Sequence, residues 1–124
     1  MYQISKQFHF SAAHRLAWLP PAHKCHNLHG HDYHVEVVLE SEELDAFGFV
    51  VDYGDLAPIK EFIDSEWDHQ YLNDVIPELD GQTTAENLAR VLYERLKGTY
   101  PQLAAVRVSE TPKTWAEYRP EQSK

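Results

Sequence analysis

The sequence has 124 residues, a length typical of one domain and too short for two domains with sizeable cores. Of these residues 43% are hydrophobic and 12% aromatic, which is enough to form a core. Its formal net charge of −9 excludes a general nucleic-acid binder, because such proteins present a basic face. The sequence has no apolar stretch near the roughly 20 residues of a membrane span and no N-terminal signal, and its one cysteine forms no internal disulfide, so we expect a cytoplasmic protein without a membrane partner.

The first half of the chain shows the periodicity of β-strands. Residues 2–12 are mostly apolar at even positions, and residues 31–39 are apolar at odd positions, as in half-buried strands. Between them the proline-rich run LPPAHKCHN predicts an irregular loop. Residues 47–51 (FGFVV) predict a third strand, joined to the second by an acidic hairpin.

The second half predicts two helices and a further strand. Asp55 is a candidate cap for a helix over residues 55–65, and a long loop follows through WDHQYLND and PELDG. A capping box from Thr83 to Glu86 precedes a second amphipathic helix, which Gly98 ends. Residues 104–110 alternate as a strand, and WAEYRP predicts a short last segment.

The predicted order is β-β-β-α-α-β, in a single domain over residues 1–124. It indicates an α+β fold in which two helices cover one face of an antiparallel four-stranded sheet. The other face and both edges of such a sheet stay exposed, which favours association between chains. We therefore expect a homo-oligomer.

The composition is unusual in its histidines, since seven of the eight lie between His9 and His34. His29 and His31 are two residues apart at the start of a strand, so both side chains leave the same face, about 7 Å apart. His14 shares the inward parity of the first strand, and three imidazoles are a known ligand set for catalytic Zn²⁺. The alternative is that some of these are ordinary surface histidines. For the remaining histidines of this region we expect solvated or structural roles: His9, His23, His26 and His34.

Cys25 lies four residues before His29, and its spacing allows two interpretations. As a thiolate held near the metal it would act as a base. As a fourth ligand it would complete a closed structural site of one cysteine and three histidines. The spacing does not separate the two.

Five segments in order resemble the 6-pyruvoyl-tetrahydropterin synthase family, namely FSAAHRL, CHNLHGH, WDHQYLND, TTAENLA and VSET. The resemblance covers about residues 4–118. The three residues between Cys25 and His29 make the chain most similar to the branch that forms 6-carboxytetrahydropterin in queuosine and deazapurine biosynthesis. One departure is Thr83, where relatives often carry proline.

The resemblance implies a tunnelling fold, in which β-β-α-α-β-β subunits join their sheets into a barrel, commonly as trimers stacked into hexamers. It then implies that residues 47–51 belong to a hairpin that continues the second strand. The family's zinc ligands map onto His14, His29 and His31, and its catalytic thiol maps onto Cys25.

Further roles follow from the same resemblance. The family's Asp-His pair maps onto Asp68 and His69, supplied by a neighbouring subunit, and its pterin-anchoring glutamate maps onto Glu110, with Thr84 as a second contact to the ring. Glu110 shares the inward parity of its strand, so its carboxylate needs a partner, although a glutamate curling to solvent is the alternative. Taken alone, Asp68 and His69 are more typical of a turn than of a catalytic pair.

The expected activity is zinc-dependent conversion of 7,8-dihydroneopterin triphosphate to 6-carboxy-5,6,7,8-tetrahydropterin, with loss of acetaldehyde and triphosphate. Lys24 and Arg15 are candidate contacts to the triphosphate. One alternative is the pyruvoyl-forming enzyme of tetrahydrobiopterin synthesis. The other is a non-catalytic pterin-binding module stabilised by zinc.

Overall fold

The computed structural model describes residues 1–121 and shows helices packed on one face of a four-stranded antiparallel sheet with strand order β1-β2-β3-β4. The strands are β1 (Tyr2–His14), β2 (His29–Ser41), β3 (Leu103–Thr111) and β4 (Thr114–Tyr118). The helices are α1 (Ala57–Phe62), α2 (Leu72–Val75) and α3 (Ala85–Lys97), with a π-turn at Ile63–Trp67 and 3-10 turns at Lys24–His26, Tyr53–Leu56 and Pro77–Leu79. The predicted α+β class and four-stranded sheet are confirmed.

The prediction of a strand at residues 47–51 is wrong, because this segment forms a turn. The Asp45 carboxylate accepts the backbone N–H groups of Phe47 at 2.9 Å and of Phe49 at 3.0 Å. Gly48 between them has a φ of 88°, which breaks the extended backbone. Backbone N–H groups that are bound to a local carboxylate are not available for pairing with another strand. The fourth strand is β4 instead, so the sheet follows the β-β-α-α-β-β plan, with the one-turn α2 added in the predicted loop.

Both helix starts differ from the predicted ones by a few residues. Asp52, rather than Asp55, caps the first helical segment by accepting the N–H of Gly54 at 2.9 Å. The helical backbone then runs past the predicted end as a π-turn. Thr84 caps α3 by accepting the Asn87 N–H at 3.3 Å, so the predicted capping box is wrong by one position. Gly98 follows the end of α3 as predicted.

The strand periodicities predicted for β1 and β2 are confirmed, and their inward side chains build the core. Phe10 stacks on Tyr33 with ring centroids 4.8 Å apart and tilts against Trp67 at 5.7 Å. All three are at most 2% exposed, and burial of each such side chain stabilises the fold by about 2 kcal/mol. This aromatic layer supports the end of the sheet where the histidines lie.

Among the described residues, no helix is long and apolar enough to cross a bilayer.

Candidate metal centre and its surroundings

The pairing of β1 with β2 brings three histidines together at one end of the sheet. His14 pairs directly with His29, and His31 lies two residues further along β2. Their ring centroids are 4.5 Å apart for His14 and His29, 5.2 Å for His14 and His31, and 4.9 Å for His29 and His31. One ring nitrogen from each lies within 4.8 Å of the other two. The predicted convergence is therefore present in the structure.

Hydrogen bonds on the far side of two rings orient the nitrogens that face the centre. The Nδ1 of His14 lies 2.7 Å from the carbonyl oxygen of Thr83, and the Nδ1 of His29 lies 2.7 Å from that of Asn27. A carbonyl only accepts, so both Nδ1 atoms carry the proton and both Nε2 lone pairs are free.

These free lone pairs give a test of whether the site fits a metal ion. Within residues 1–121, the buried side-chain nitrogen and oxygen atoms without a hydrogen-bond partner are the Tyr33 hydroxyl and the Nε2 atoms of His14, His29 and His31. Buried polar atoms without partners are costly. A cation held by the three nitrogens removes that cost, and three imidazoles suit tetrahedral Zn²⁺ with one position left open.

The electrostatics of the site keep the imidazoles of His14 and His31 neutral, as metal ligands must be. Burial lowers the pKa of His14 from 6.5 to about 4; the hydrogen bond to Thr83 opposes this, while His29 and His31 add to it. Burial, followed by the charges of His29 and Lys24, also lowers the pKa of His31. Both rings are therefore ready to bind a cation at neutral pH.

The structure does not bring Cys25 into the histidine group. Cys25 lies half-buried on the 3-10 turn Lys24–His26, and its carbonyl accepts the Leu16 N–H at 2.8 Å. Across residues 1–121 the one group of three or more possible ligands within 4.8 Å consists of histidines alone. This arrangement argues against Cys25 as a fourth ligand.

Glu110 lies next to the candidate metal centre, at the C-terminal part of β3. Its Oε2 is 3.7 Å from Nε2 of His31, and its side chain lines a pocket of about 310 Å³ that also contains Glu86 at the start of α3. Burial, followed by the charge of Glu86, raises the pKa of Glu110, while His29 and the Ala85 N–H oppose the rise. The Glu110 carboxylate is therefore partly buried and lines this pocket. Thr84, the proposed second contact, caps α3 nearby.

Asp68 and His69 lie outside the histidine group, along the outer edge of β1. Asp68 Oδ1 accepts the Ser11 N–H at 2.9 Å, and His69 donates its own N–H to the Ser11 carbonyl at 2.6 Å. The other Asp68 oxygen lies 2.8 Å from His69 Nδ1, so the pair is formed as predicted. The Ser11 N–H and then His69 lower the pKa of Asp68.

The backbone presents His69 in an unusual way. Its φ is +59°, a left-handed conformation that costs a non-glycine residue about 1 kcal/mol, and its side chain is 82% exposed. His69 and His31 both line a pocket of about 530 Å³ at the β1 edge. The strained backbone thus holds a carboxylate-paired imidazole at the mouth of this pocket.

The other histidines fill the roles expected of them. His9 and His34 are exposed on the sheet face away from the helices, with ring centroids 6.3 Å apart. The His26 ring bonds the Leu19 carbonyl at 2.9 Å, and His23 accepts the Cys25 N–H at 3.1 Å. These contacts are structural.

Sequence reasoning missed two residues that lie close to the candidate metal-binding histidines. Tyr33 lies beneath His14 and His31, with ring centroids 6.0 and 5.4 Å away. Asn73 binds the backbone of Arg15, the residue after His14. Tyr33 was detectable as an inward residue of β2. Asn73 lies in the WDHQYLND segment that resembles the family, but no local pattern indicated its contact with Arg15.

Together, the antiparallel sheet, the helices on one face and the buried histidine group define an α+β protein with a candidate metal centre. The sequence model of the 6-pyruvoyl tetrahydropterin synthase family matches residues 3–121. The chain therefore belongs to this family, whose enzymes are pterin-processing lyases.

Individual relatives cover nearly the whole chain. The 6-carboxy-5,6,7,8-tetrahydropterin synthase of Haemophilus influenzae is 32% identical, covering 96% of this chain and 99% of that protein. The Bacillus subtilis protein of the same name is 30% identical, covering 96% and 86%. Among solved structures, 6-pyruvoyl tetrahydropterin synthase of Caenorhabditis elegans superposes with a TM-score of 0.84 at 30% identity, covering 97% of this chain and 96% of that one. The tunnelling fold expected for the subunit is confirmed.

Proposed function

We propose that this protein is a zinc-dependent lyase that converts 7,8-dihydroneopterin triphosphate and one water molecule to 6-carboxy-5,6,7,8-tetrahydropterin, acetaldehyde and triphosphate, in queuosine or deazapurine biosynthesis. The observation that carries the proposal is the juxtaposition of three unpartnered histidine nitrogens with the carboxylate of Glu110, 3.7 Å from His31. The names of the Haemophilus and Bacillus relatives support the choice of product.

His14, His29 and His31 would hold the zinc ion through Nε2. When bound, Zn²⁺ polarises the oxygens of the substrate side chain and acidifies the adjacent C–H bonds. The protein's contribution is to keep His14 and His31 neutral through burial, and to orient His14 and His29 through the carbonyls of Thr83 and Asn27.

Glu110 is the proposed anchor for the pterin ring. An ionised carboxylate accepts two hydrogen bonds side by side from an amino-pyrimidinone edge, which fixes the plane and direction of the ring. Because Glu110 is close to His31, a ring held there would place its side chain toward the metal. Thr84, which begins α3 beside this pocket, is the proposed second contact.

Two groups are proposed to move protons. Cys25, as thiolate, takes a proton from the substrate side chain, and His69 acts as the second acid or base with Asp68 stabilising its charged form. Asp68 binds His69 at Nδ1, so the ring's Nε2 is the atom available to substrate.

We propose that Asp68 and His69 act in the site of a neighbouring subunit, within an oligomer built of trimers and forming a hexamer. Support comes from their position on the edge of β1, where another chain can approach. The triphosphate needs local cations in a chain of net charge −9. Lys24, close enough to lower the pKa of His31, and Arg15 are the proposed contacts.

A second candidate is the pyruvoyl-forming reaction, favoured by the Caenorhabditis elegans neighbour. Incubating the zinc-loaded protein with 7,8-dihydroneopterin triphosphate and analysing the products by mass spectrometry separates the two. We expect 6-carboxytetrahydropterin together with acetaldehyde. Accumulation of 6-pyruvoyltetrahydropterin without acetaldehyde would establish the second candidate, and unchanged substrate would contradict both.

A further inference from the structure

Thr83 presents two oxygens to the same atom of His14. The Thr83 side chain is fully buried, at 0% exposure. Its carbonyl oxygen lies 2.7 Å from Nδ1 of His14, and its hydroxyl Oγ1 lies 3.3 Å from that nitrogen. Nδ1 is the ring atom that does not face the histidine group, so Thr83 contacts His14 from behind.

The direction of the hydrogen bonds in this region is fixed. Because His14 Nδ1 carries the proton, the Thr83 hydroxyl accepts there and gives its own proton to Oδ1 of Asn73, 3.2 Å away. Oδ1 also accepts the Arg15 N–H at 3.1 Å, and Nδ2 of Asn73 donates to the Arg15 carbonyl at 2.9 Å. Both ends of the Asn73 amide are thus assigned by their partners.

The sheet alone does not fix this end of β1. Pairing with β2 stops at His14 and His29, so Arg15 has no strand partner there. Asn73 takes that place by binding both backbone groups of Arg15, and through Thr83 it also reaches the ring of His14. One amide therefore fixes both the backbone after His14 and the group behind its imidazole.

We propose that Thr83 and Asn73 are positioning residues that orient His14 for metal binding. The proposal rests on the zinc centre proposed above. Groups that hydrogen-bond the far nitrogen of a metal-bound histidine commonly change metal affinity by about 10- to 100-fold. Thr83 acts here with its side chain as well as its carbonyl, so removal of its hydroxyl alone should weaken zinc binding.

The test measures zinc affinity of the full chain by competition with a chromophoric chelator. Thr83→Val removes the hydroxyl at nearly constant volume, and we expect its dissociation constant for Zn²⁺ to rise at least about tenfold. Thr83→Ser keeps the hydroxyl and should stay near the wild-type value. Thr99→Val makes the same change at an exposed position after α3 and should have no effect.

Asn73→Ala gives an independent measurement if Thr83→Val folds poorly, since Asn73 is only partly buried. It should also weaken zinc binding. In the double variant the dissociation constant for Zn²⁺ should rise by less than the product of the two separate fold-increases, because both residues act through His14. In Co²⁺-loaded protein, both single variants should change the visible absorption bands that report ligand geometry. A residue serving only the fold would leave these bands unchanged in the folded fraction.

The outcomes separate this inference from the proposed function. Failure of the wild-type chain to bind Zn²⁺ or Co²⁺ would remove the metal centre itself. If the wild type binds zinc, but folded Thr83→Val and Asn73→Ala bind it equally well with unchanged cobalt spectra, the positioning role is wrong.

Discussion

The Nε2 atom of His31 lies 3.7 Å from Oε2 of Glu110, although the two residues belong to different strands and are far apart in the sequence. The candidate metal centre and the proposed pterin anchor are therefore neighbours on one side of the sheet. Substitutions of the two should nevertheless have different effects, because one group serves the metal and the other serves the substrate.

We expect the purified protein to contain about one zinc ion per chain. His29→Ala and His31→Ala should each lose the metal and the activity together, because two imidazoles leave the ion poorly held. His34→Ala, on the opposite face of β2, is the matched control and should keep both. Elemental analysis after dialysis measures the metal content. Full zinc retention in both site variants would contradict the assignment of these histidines.

Glu110→Gln should keep zinc and lose substrate affinity. The amide preserves the size of the side chain but offers one acceptor in place of two, so the loss of a charge-assisted pair should raise KM about tenfold or more. Steady-state kinetics together with zinc analysis check this. A variant with normal KM, or one that loses its zinc, would show that Glu110 does not act as the ring anchor.

Cys25→Ala should keep zinc and lose turnover, since the thiol lies outside the histidine group. A thiol reagent should also modify Cys25 in the zinc-loaded protein, whereas a thiolate bound to the metal is protected. Mass spectrometry of the intact chain reports the modification. Loss of zinc from Cys25→Ala would instead favour a closed site with cysteine as the fourth ligand.

The stability of the metal-free protein should decrease as the pH is lowered from 6.5 to about 4. His14 has a pKa of about 4 when folded and 6.5 as its ordinary value, so in this range the unfolded chain binds the extra proton. Stability is therefore complete above pH 6.5 and is lost on acidification, by up to roughly 3 kcal/mol from this residue. Urea unfolding at several pH values measures the effect.

A His14→Gln variant provides the comparison for this pH dependence. Its amide has no titratable group, so the slope of stability against pH should decrease, although the stability itself is lower throughout. An unchanged slope would show that His14 is not the residue responsible.

Mixing of inactive chains should reveal whether the site is shared. If His69 serves a neighbouring chain, mixing Cys25→Ala chains with His69→Ala chains restores part of the activity, because some interfaces then receive both intact groups. Each variant must first assemble and bind zinc as the wild type does. If the subunits exchange and no activity returns, His69 serves its own chain, across the pocket it shares with His31.

Strand periodicity was sufficient to predict the convergence of His14, His29 and His31. Parity fixes the face from which a side chain leaves a strand, and antiparallel pairing of adjacent strands then brings the ends together. The turn at Phe47 was not predictable in this way, since its apolar run resembles a strand until the hydrogen bonds to Asp45 are known. Thr83 was recognised as part of a helix start, but its contact with His14 joins residues 69 apart, and no local pattern signals such a contact.

The segment after the π-turn also limits how another chain can add to the sheet. His69 and Gln70 use the backbone groups of Ser11 and Ala13 on the outer side of β1, leaving that edge free only in its N-terminal part. A strand added there must stop before Ser11, because its backbone would otherwise compete with these hydrogen bonds. Residues 68–70 therefore limit how far along β1 an added strand can pair, and the end of such a strand would lie near His69.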